Sequence, residues 1–157
     1  MINSNRLPLT VYPLLSASLE LPLRMENGMS HTNLTLSLLA DTFAICRLEP
    51  EADIPSWALA GDFYSITRTV EELSLVCLQE VVPEGTRAEK GYRCLKVGGP
   101  LDFSLTGILT SLTIPLAQAG ISVLSISTFD TDYLLVKADI VEMAVRELEK
   151  AGHRVVN

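Results

Sequence analysis

A six-residue segment between two apolar stretches carries the densest set of polar and charged side chains in the sequence. Ser127-Thr128-Phe129-Asp130-Thr131-Asp132 supplies two carboxylates, three hydroxyl groups and one aromatic ring. An ammonium or guanidinium group would find charged acceptors there, and Phe129 would cover an apolar stem or the face of a cation. The alternative is a hairpin turn in which Asp and Thr cap their own backbone. Hydrolysis is disfavoured, because two carboxylates two residues apart in one turn do not straddle a substrate.

A second candidate site is Thr106-Gly107-Ile108, at the start of a predicted helix. The first amides of a helix lack intrahelical partners and lie at the positive end of the helix dipole. Glycine at this point removes the side chain that would block close approach, so a carboxylate can bind the backbone. The alternative is that Gly107 serves close packing of the helix on a sheet. The sequence leaves both interpretations open.

The cysteines and histidines do not form a reactive cluster in the sequence. Cys46, Cys77 and Cys94 lie in apolar, strand-like contexts and are expected to be buried, reduced thiols. A zinc site would need closely spaced Cys or His pairs, and the sequence has none. His31 and His153 are far apart, and no nucleophile-elbow motif accompanies them. We therefore expect no catalytic residue, no metal and no cofactor.

An internal repeat organises the chain from Leu34 onward. Residues 65–76 (SITRTVEELSLV) align without gaps with residues 125–136 (SISTFDTDYLLV), an offset of 60 residues. Serine, isoleucine, leucine and valine recur at matching positions of the two segments. The chain is therefore predicted to contain two copies of one supersecondary unit.

The second copy has the complete pattern of a βαββαβ unit. We predict strands at 92–97, 121–128, 132–137 and 153–156, with helices at 105–119 and 138–151. Ser104 is the predicted N-cap of the first helix, and Pro115 inside that helix removes the donor for the Ser111 carbonyl. The first copy is abbreviated: we predict strands at 43–48, 63–69 and 73–78, and one short helix at 55–60. The βαββαβ order of the second copy is the ferredoxin-like arrangement.

Composition limits the classes of function. The chain has 157 residues, 48% of them hydrophobic and 20% charged, enough to bury a core in one domain or two small packed ones. The net charge of −7 disfavours nucleic acid and anionic membranes as partners. No apolar run reaches the roughly 18 residues of a spanning helix.

Three regions and a cytoplasmic location are predicted. Residues 1–33 are expected to be a poorly ordered N-terminal extension, in which 7–19 only loosely resemble a signal peptide. Residues 34–86 are the predicted abbreviated first unit, and residues 87–157 the complete second unit. The three isolated cysteines favour a cytoplasmic protein.

Two segments carry a resemblance to a known family. Residues 91–137, with LTGILTSL and STFDTDYLLV, closely resemble the small ACT-domain proteins of the CASTOR type, and residues 57–77 resemble their abbreviated first unit. The resemblance implies an α+β fold of two ferredoxin-like ACT units side by side, with helices on one face of a joined antiparallel sheet. It also implies that the backbone around Thr106, Gly107 and Ile108 holds the amino or carboxyl group of an amino acid. The rest of that pocket would be lined by Thr128, Phe129, Asp130 and Asp132.

The implied function is a non-catalytic regulatory module that binds an amino acid and forms a homodimer. The sensors of this family place complete ACT units opposite each other, whereas this sequence has only one complete unit. A composite site would therefore need the abbreviated unit or a second chain. The alternative function is a ligand-free subunit that uses the ACT fold to assemble with a protein partner.

Overall fold

The computed structural model describes residues 33–156, so the predicted extension up to residue 32, including His31, lies outside the described residues. Two α-helices, α1 and α2, accompany eight strands in this part of the chain, and none of its helices is long and apolar enough to cross a membrane. The elements are β1 Thr35–Leu38, β2 Phe43–Leu48, β3 Ser65–Arg68, β4 Leu73–Leu78, β5 Ala88–Val97, α1 Ile108–Gln118, β6 Leu124–Ser127, β7 Asp132–Lys137, α2 Val141–Lys150 and β8 Arg154–Val156. Short 3-10 turns cover Ser56–Leu59, Gln79–Val81 and Ala138–Ile140.

All eight strands form one sheet around β5. Two strands share one edge of the long strand β5, and both are antiparallel to it. Strand β1 pairs with its C-terminal end, where Leu36 lies opposite Val97, and β2 pairs with its N-terminal end, where Cys46 lies opposite Ala88. The other edge of β5 pairs with β7. The β3–β4 hairpin extends the sheet beyond β2, and β6 extends it beyond β7. The two hairpins therefore lie at opposite ends of one continuous sheet.

Strand β1 was not predicted, and it changes the connection between the two halves of the chain. It lies between β5 and β8, antiparallel to the first and parallel to the second. The last strand of the βαββαβ unit therefore pairs with a segment from the N-terminal half. Apart from the β1–β8 pairing, the sheet is antiparallel as predicted.

The two hairpins repeat each other with an offset one residue smaller than the sequence alignment gave. The last pair before the turn is Arg68–Leu73 in the first hairpin and Ser127–Asp132 in the second, an offset of 59 residues. In both turns a threonine N–H, from Thr69 or Thr128, donates at 2.8 Å to the carbonyl three residues later. The gapless offset of 60 was wrong, and the error matters because one residue reverses the face of every strand side chain.

The helices cover one face of the sheet, as predicted. Residues of α1 and α2, including Leu112, Leu116 and Leu148, pack on β5 and β7, and the 3-10 turn at Ser56–Leu59 packs on β2 and β4. On the opposite face Phe63 meets Phe43 edge-on at 5.5 Å between ring centroids. Both faces of the central strands are therefore buried.

The three thiols are expected to react only after unfolding. Burial raises the pKa of Cys77 and Cys94 to about 12, and it also raises the pKa of Cys46. At about pH 8 only about one thiol in ten thousand would be ionised at such a pKa, and the thiolate is the nucleophile. A disulfide reagent should modify almost no thiol in the native protein within minutes and three in denaturant. Rapid modification of a native thiol would contradict this prediction.

Candidate functional site

A cleft of about 320 Å³ lies between the β5–α1 connection, the first turn of α1 and the tip of the β6–β7 hairpin. Its charged lining residues are both acidic, Asp102 and Asp132. Hydroxyl and apolar side chains make up most of the remainder. The lining comprises Leu101, Asp102, Phe103, Leu105, Gly107, Ile108, Leu109, Thr110, Ser127, Thr128, Phe129, Thr131 and Asp132.

The structure brings the two predicted candidate sites together. Six of the eight predicted residues line this one cleft: Gly107, Ile108, Ser127, Thr128, Phe129 and Asp132. Thr106 and Asp130 are exposed and are not among the lining residues. Asp130 acts through its backbone instead, because its carbonyl accepts the Leu101 N–H at 2.8 Å.

The start of α1 differs from the prediction. The helix begins at Ile108, with Gly107 as its N-cap, so the predicted N-cap at Ser104 and start at Leu105 were wrong. Asp102 and Ser104 form a separate turn, in which the Ser104 N–H and hydroxyl donate to the Asp102 carboxylate at 2.8 and 2.6 Å. Those two hydrogen bonds hold the pKa of the Asp102 carboxyl below its ordinary value.

Gly107 is explained by backbone conformation rather than by close packing. Its φ angle is +82°, in the left-handed region that glycine tolerates best. A β-carbon at this position would meet nothing within 4 Å, so no neighbouring atom excludes a side chain. The residues of the first turn of α1, Ile108, Leu109 and Thr110, line the cleft beside this open space, and the first amides of a helix have no partner within the helix.

Asp132 is the buried charge of the cleft. Only 9% of this residue is exposed, and the Ser127 hydroxyl donates to its Oδ1 atom at 2.5 Å. Within residues 33–156 its carboxylate has no other hydrogen-bond partner and no cationic group within 4.0 Å. The second carboxylate oxygen, Oδ2, is not a buried unpaired atom, so a cationic group in the cleft can reach a negatively charged acceptor there.

The hairpin tip is fixed against the end of β5. The Thr131 hydroxyl donates to the Val97 carbonyl at 2.5 Å, and the Thr128 hydroxyl donates to the Thr131 carbonyl at 2.9 Å. A β-carbon on Gly99 would lie 2.6 Å from the Asp130 carbonyl oxygen, so only glycine allows this approach. These contacts hold one wall of the cleft independently of any ligand.

The rim of the cleft is apolar and exposed. Phe103 and Phe129 pack edge to face with their centroids 5.1 Å apart, while 77% and 79% of these residues remain exposed. Phe129 was predicted at this site and Phe103 was not.

Sequence reasoning missed seven lining residues, most of them in the β5–α1 connection that it had assigned in part to the helix. The Gly98-Gly99-Pro100 break followed by Asp-x-Ser is the signal that marks this connection as a turn. Six of them are Leu101, Asp102, Phe103, Leu105, Leu109 and Thr110; the seventh, Thr131, lies in the predicted polar segment but was not named there as a ligand-binding residue.

The corresponding end of the first hairpin is built differently. Arg68 and Leu73 stand at the positions of Ser127 and Asp132. The Arg68 guanidinium reaches the connection that follows β2 and donates to the carbonyls of Pro50 and Ala52, the latter at 2.8 Å. At this end of the first hairpin an exposed arginine therefore bridges to the preceding connection, whereas the second hairpin has a cleft there.

Family models match most of the described chain. Residues 41–85 match a model described as an N-terminal domain, and residues 87–150 match the ACT domain. No curated protein matches the chain significantly.

Several solved structures are similar to this one. Protein Atu0741 from Agobacterium tumefaciens is 41% identical over 79% of this chain and 92% of that one, with a TM-score of 0.76. VC0802 from Vibrio cholerae, described as a protein of unknown function and possible transport protein, is 19% identical over 78% and 92%, with a TM-score of 0.64. The ligand-free regulatory subunit of aspartate kinase from Thermus thermophilus is 14% identical over 74% and 95%, with a TM-score of 0.54. At such low identities the last two show the fold alone. The ACT-domain match and the fold shared with the Thermus regulatory subunit confirm the predicted α+β architecture.

Proposed function

The chain belongs to the family of the Agobacterium tumefaciens protein Atu0741 and carries an ACT domain, and from this premise we propose that it is a non-catalytic regulatory module that binds a free amino acid in the cleft. Residues 34–86 and 87–157 are proposed as its two units, within the CASTOR-type subclass of sensors. The six residues that were predicted from the sequence and that line the cleft are proposed to bind the ligand. Thr106 and Asp130 are proposed only as supports of the backbone around it.

The observation that carries this proposal is that the Asp132 carboxylate and the first turn of α1 line the same small cleft. Asp132 is positioned to accept hydrogen bonds from a ligand ammonium group, with Ser127 holding the carboxylate in place. The first amides of α1, at Ile108 and Leu109, are positioned to bind a ligand carboxylate. A free amino acid carries these two groups on one carbon, and about 320 Å³ is enough for one such molecule.

The remainder of the cleft favours a side chain with an apolar stem. Phe103, Phe129 and Leu105 would cover the stem, and their burial by a ligand would stabilise the complex. Asp102 adds a second carboxylate near the rim. With two acidic groups in the lining, a ligand of zero or positive net charge is favoured over an acidic amino acid.

A thermal-shift screen of the twenty amino acids, each at about 5 mM, tests the proposal. A ligand present at about 100 times its dissociation constant adds about 2.7 kcal/mol, which should raise the melting temperature of this chain by about 5–10 °C. Aspartate and glutamate serve as internal controls, because the acidic lining should reject them. A screen in which no amino acid shifts the melting temperature would favour the ligand-free interaction subunit instead.

A further inference from the structure

One face of the sheet in the second unit has no described helix on it. Side chains of β5 alternate between the two faces, so Leu95 packs beneath α1 and α2 whereas Cys94 points the other way. Phe63, from the connection before β3, covers part of this second face and stacks on Tyr133 with 4.4 Å between the ring centroids. Beyond Tyr133, toward β1 and β8, exposed side chains take over.

The register of the strands places five residues side by side on this uncovered part of the sheet, which we call the open face. Ser37 of β1 lies opposite Lys96 of β5 on one side and Val156 of β8 on the other. Lys96 in turn lies opposite Tyr133 of β7. Arg154 precedes Val156 by two residues in β8 and therefore shares its face. Ser37, Lys96 and Arg154 are exposed, and the other two residues are half-buried.

The open face carries positive charge only, although the net charge of the chain is −7. Lys96 and Arg154 form no ion pair with any residue between 33 and 156. Glu89, near the other end of β5, is paired with Lys137, and the carboxylates of α2 belong to the side of the sheet that the helices cover. The Debye length is about 8 Å at physiological ionic strength, so a partner on the open face interacts with these two cations more strongly than with the distant carboxylates.

We propose that the open face binds a helix of a partner protein, and that two carboxylates of this helix pair with Lys96 and Arg154. The two cations lie two strands apart and are offset by two residues, so their Cα atoms are about 12 Å apart. Carboxylates seven positions apart on a helix are separated by about 10.5 Å along its axis, which the long Lys and Arg side chains can match. Ser37 lies between the two cations and is small enough to let a helix approach. Tyr133 and Val156 offer apolar contacts beside it.

Other occupants fit this surface less well. Nucleic acid is disfavoured, because two cations neutralise few phosphates and Phe63 already covers the ring of Tyr133. A second copy could offer Glu142 and Glu149, which are exposed on α2 and seven positions apart. That contact would join two different surfaces and would continue from copy to copy into a ring or a filament, which the net charge of −7 on each copy opposes. The open face is therefore assigned to a different protein. This assignment uses no residue of the cleft except by proximity in sequence, so it goes beyond amino-acid binding and does not depend on it.

Fluorescence anisotropy of a labelled peptide, titrated with the full chain, tests the proposal. The peptide has about 18 residues, enough to form a helix, with two glutamates seven positions apart among alanine, glutamine and leucine. At about 50 mM salt, where surface charges are weakly screened, this peptide should bind saturably, and a peptide with glutamines in place of the two glutamates should bind more weakly. Lys96→Glu and Arg154→Glu should each weaken binding by about 5–10-fold, because an attraction becomes a repulsion. Arg146→Glu reverses an exposed cation on α2, on the other side of the sheet, and should bind as the wild type does.

Circular dichroism and thermal unfolding of each variant establish that it is folded. The proposal is overturned if no saturable binding occurs up to about 1 mM protein, where a millimolar complex is half-formed. Equal binding of the two peptides, or equal weakening by Arg146→Glu, would overturn it as well. Sedimentation of the protein alone decides on the second copy: wild-type assemblies that both Lys96→Glu and Arg154→Glu dissociate would overturn the assignment to a different protein. None of these outcomes bears on ligand binding, which the thermal-shift screen measures separately.

Discussion

Asp132→Ala should abolish the rise in melting temperature that the bound amino acid produces. The carboxylate is buried, has Ser127 as its hydrogen-bond partner and lies in the lining of the cleft. Removing one partner of a buried, hydrogen-bonded charge pair costs about 2–5 kcal/mol of binding, so affinity should fall by about 30-fold or more. At unchanged ligand concentration the thermal shift would then nearly disappear. Titration calorimetry of the amino acid identified in the screen measures the affinity directly.

Two further variants separate charge from structure in this prediction. Asp132→Asn keeps the volume of the side chain and an acceptor for Ser127 while removing the charge, and it should lose affinity almost as strongly as Asp132→Ala. Asp130→Ala removes an exposed carboxylate from the same turn, outside the lining of the cleft, and should bind as the wild type does. Full ligand affinity in Asp132→Asn would refute the role given to the charge.

The sequence predicted the strands of the hairpins well because their signals are local. Strands β2 and β4 have the predicted bounds, since each is a short, mostly apolar run with turn residues before and after it. The candidate site was found in large part for the same reason. Its two main pieces lie on one stretch of chain, between Pro100 and Lys137, and each carries a turn or helix-start signal.

The errors arose where a non-local contact decides the outcome. Strand β1 is only four residues long, and it is a strand because it pairs with β5 and β8, far away in the sequence. The helix start was placed too early because Ser104 is a good N-cap by type, but Asp102 engages it in a turn of its own. The repeat was misaligned by one residue because identical residue types outweighed the geometry of the turns. The offset between the two hairpins becomes clear only when the Ser127–Asp132 pair is compared with the Arg68–Leu73 pair.

His153→Ala should lower the stability of the protein by about 3 kcal/mol, and the melting temperature by about 5–10 °C. Only 7% of His153 is exposed, and its ring contacts two backbone groups. The Leu34 N–H donates to Nδ1 at 3.4 Å, so Nε2 carries the proton and donates to the Ser111 carbonyl at 3.1 Å. Alanine would leave both groups unpaired in the interior, at about 1–3 kcal/mol each. Thermal and urea unfolding of the ligand-free protein measure the loss.

Pro115 explains why α1 needs this histidine. In a regular helix the Ser111 carbonyl would accept the N–H of residue 115, but proline has none. His153 therefore supplies from the end of α2 the donor that α1 lacks, and it ties the same point to Leu34 at the entry to β1. Pro115→Ala restores the missing N–H, so His153→Ala should cost less in that background. A double-mutant cycle should give a coupling of about 1 kcal/mol between the two positions. Strictly additive losses would show that His153 acts through packing alone and not through the carbonyl that Pro115 leaves free.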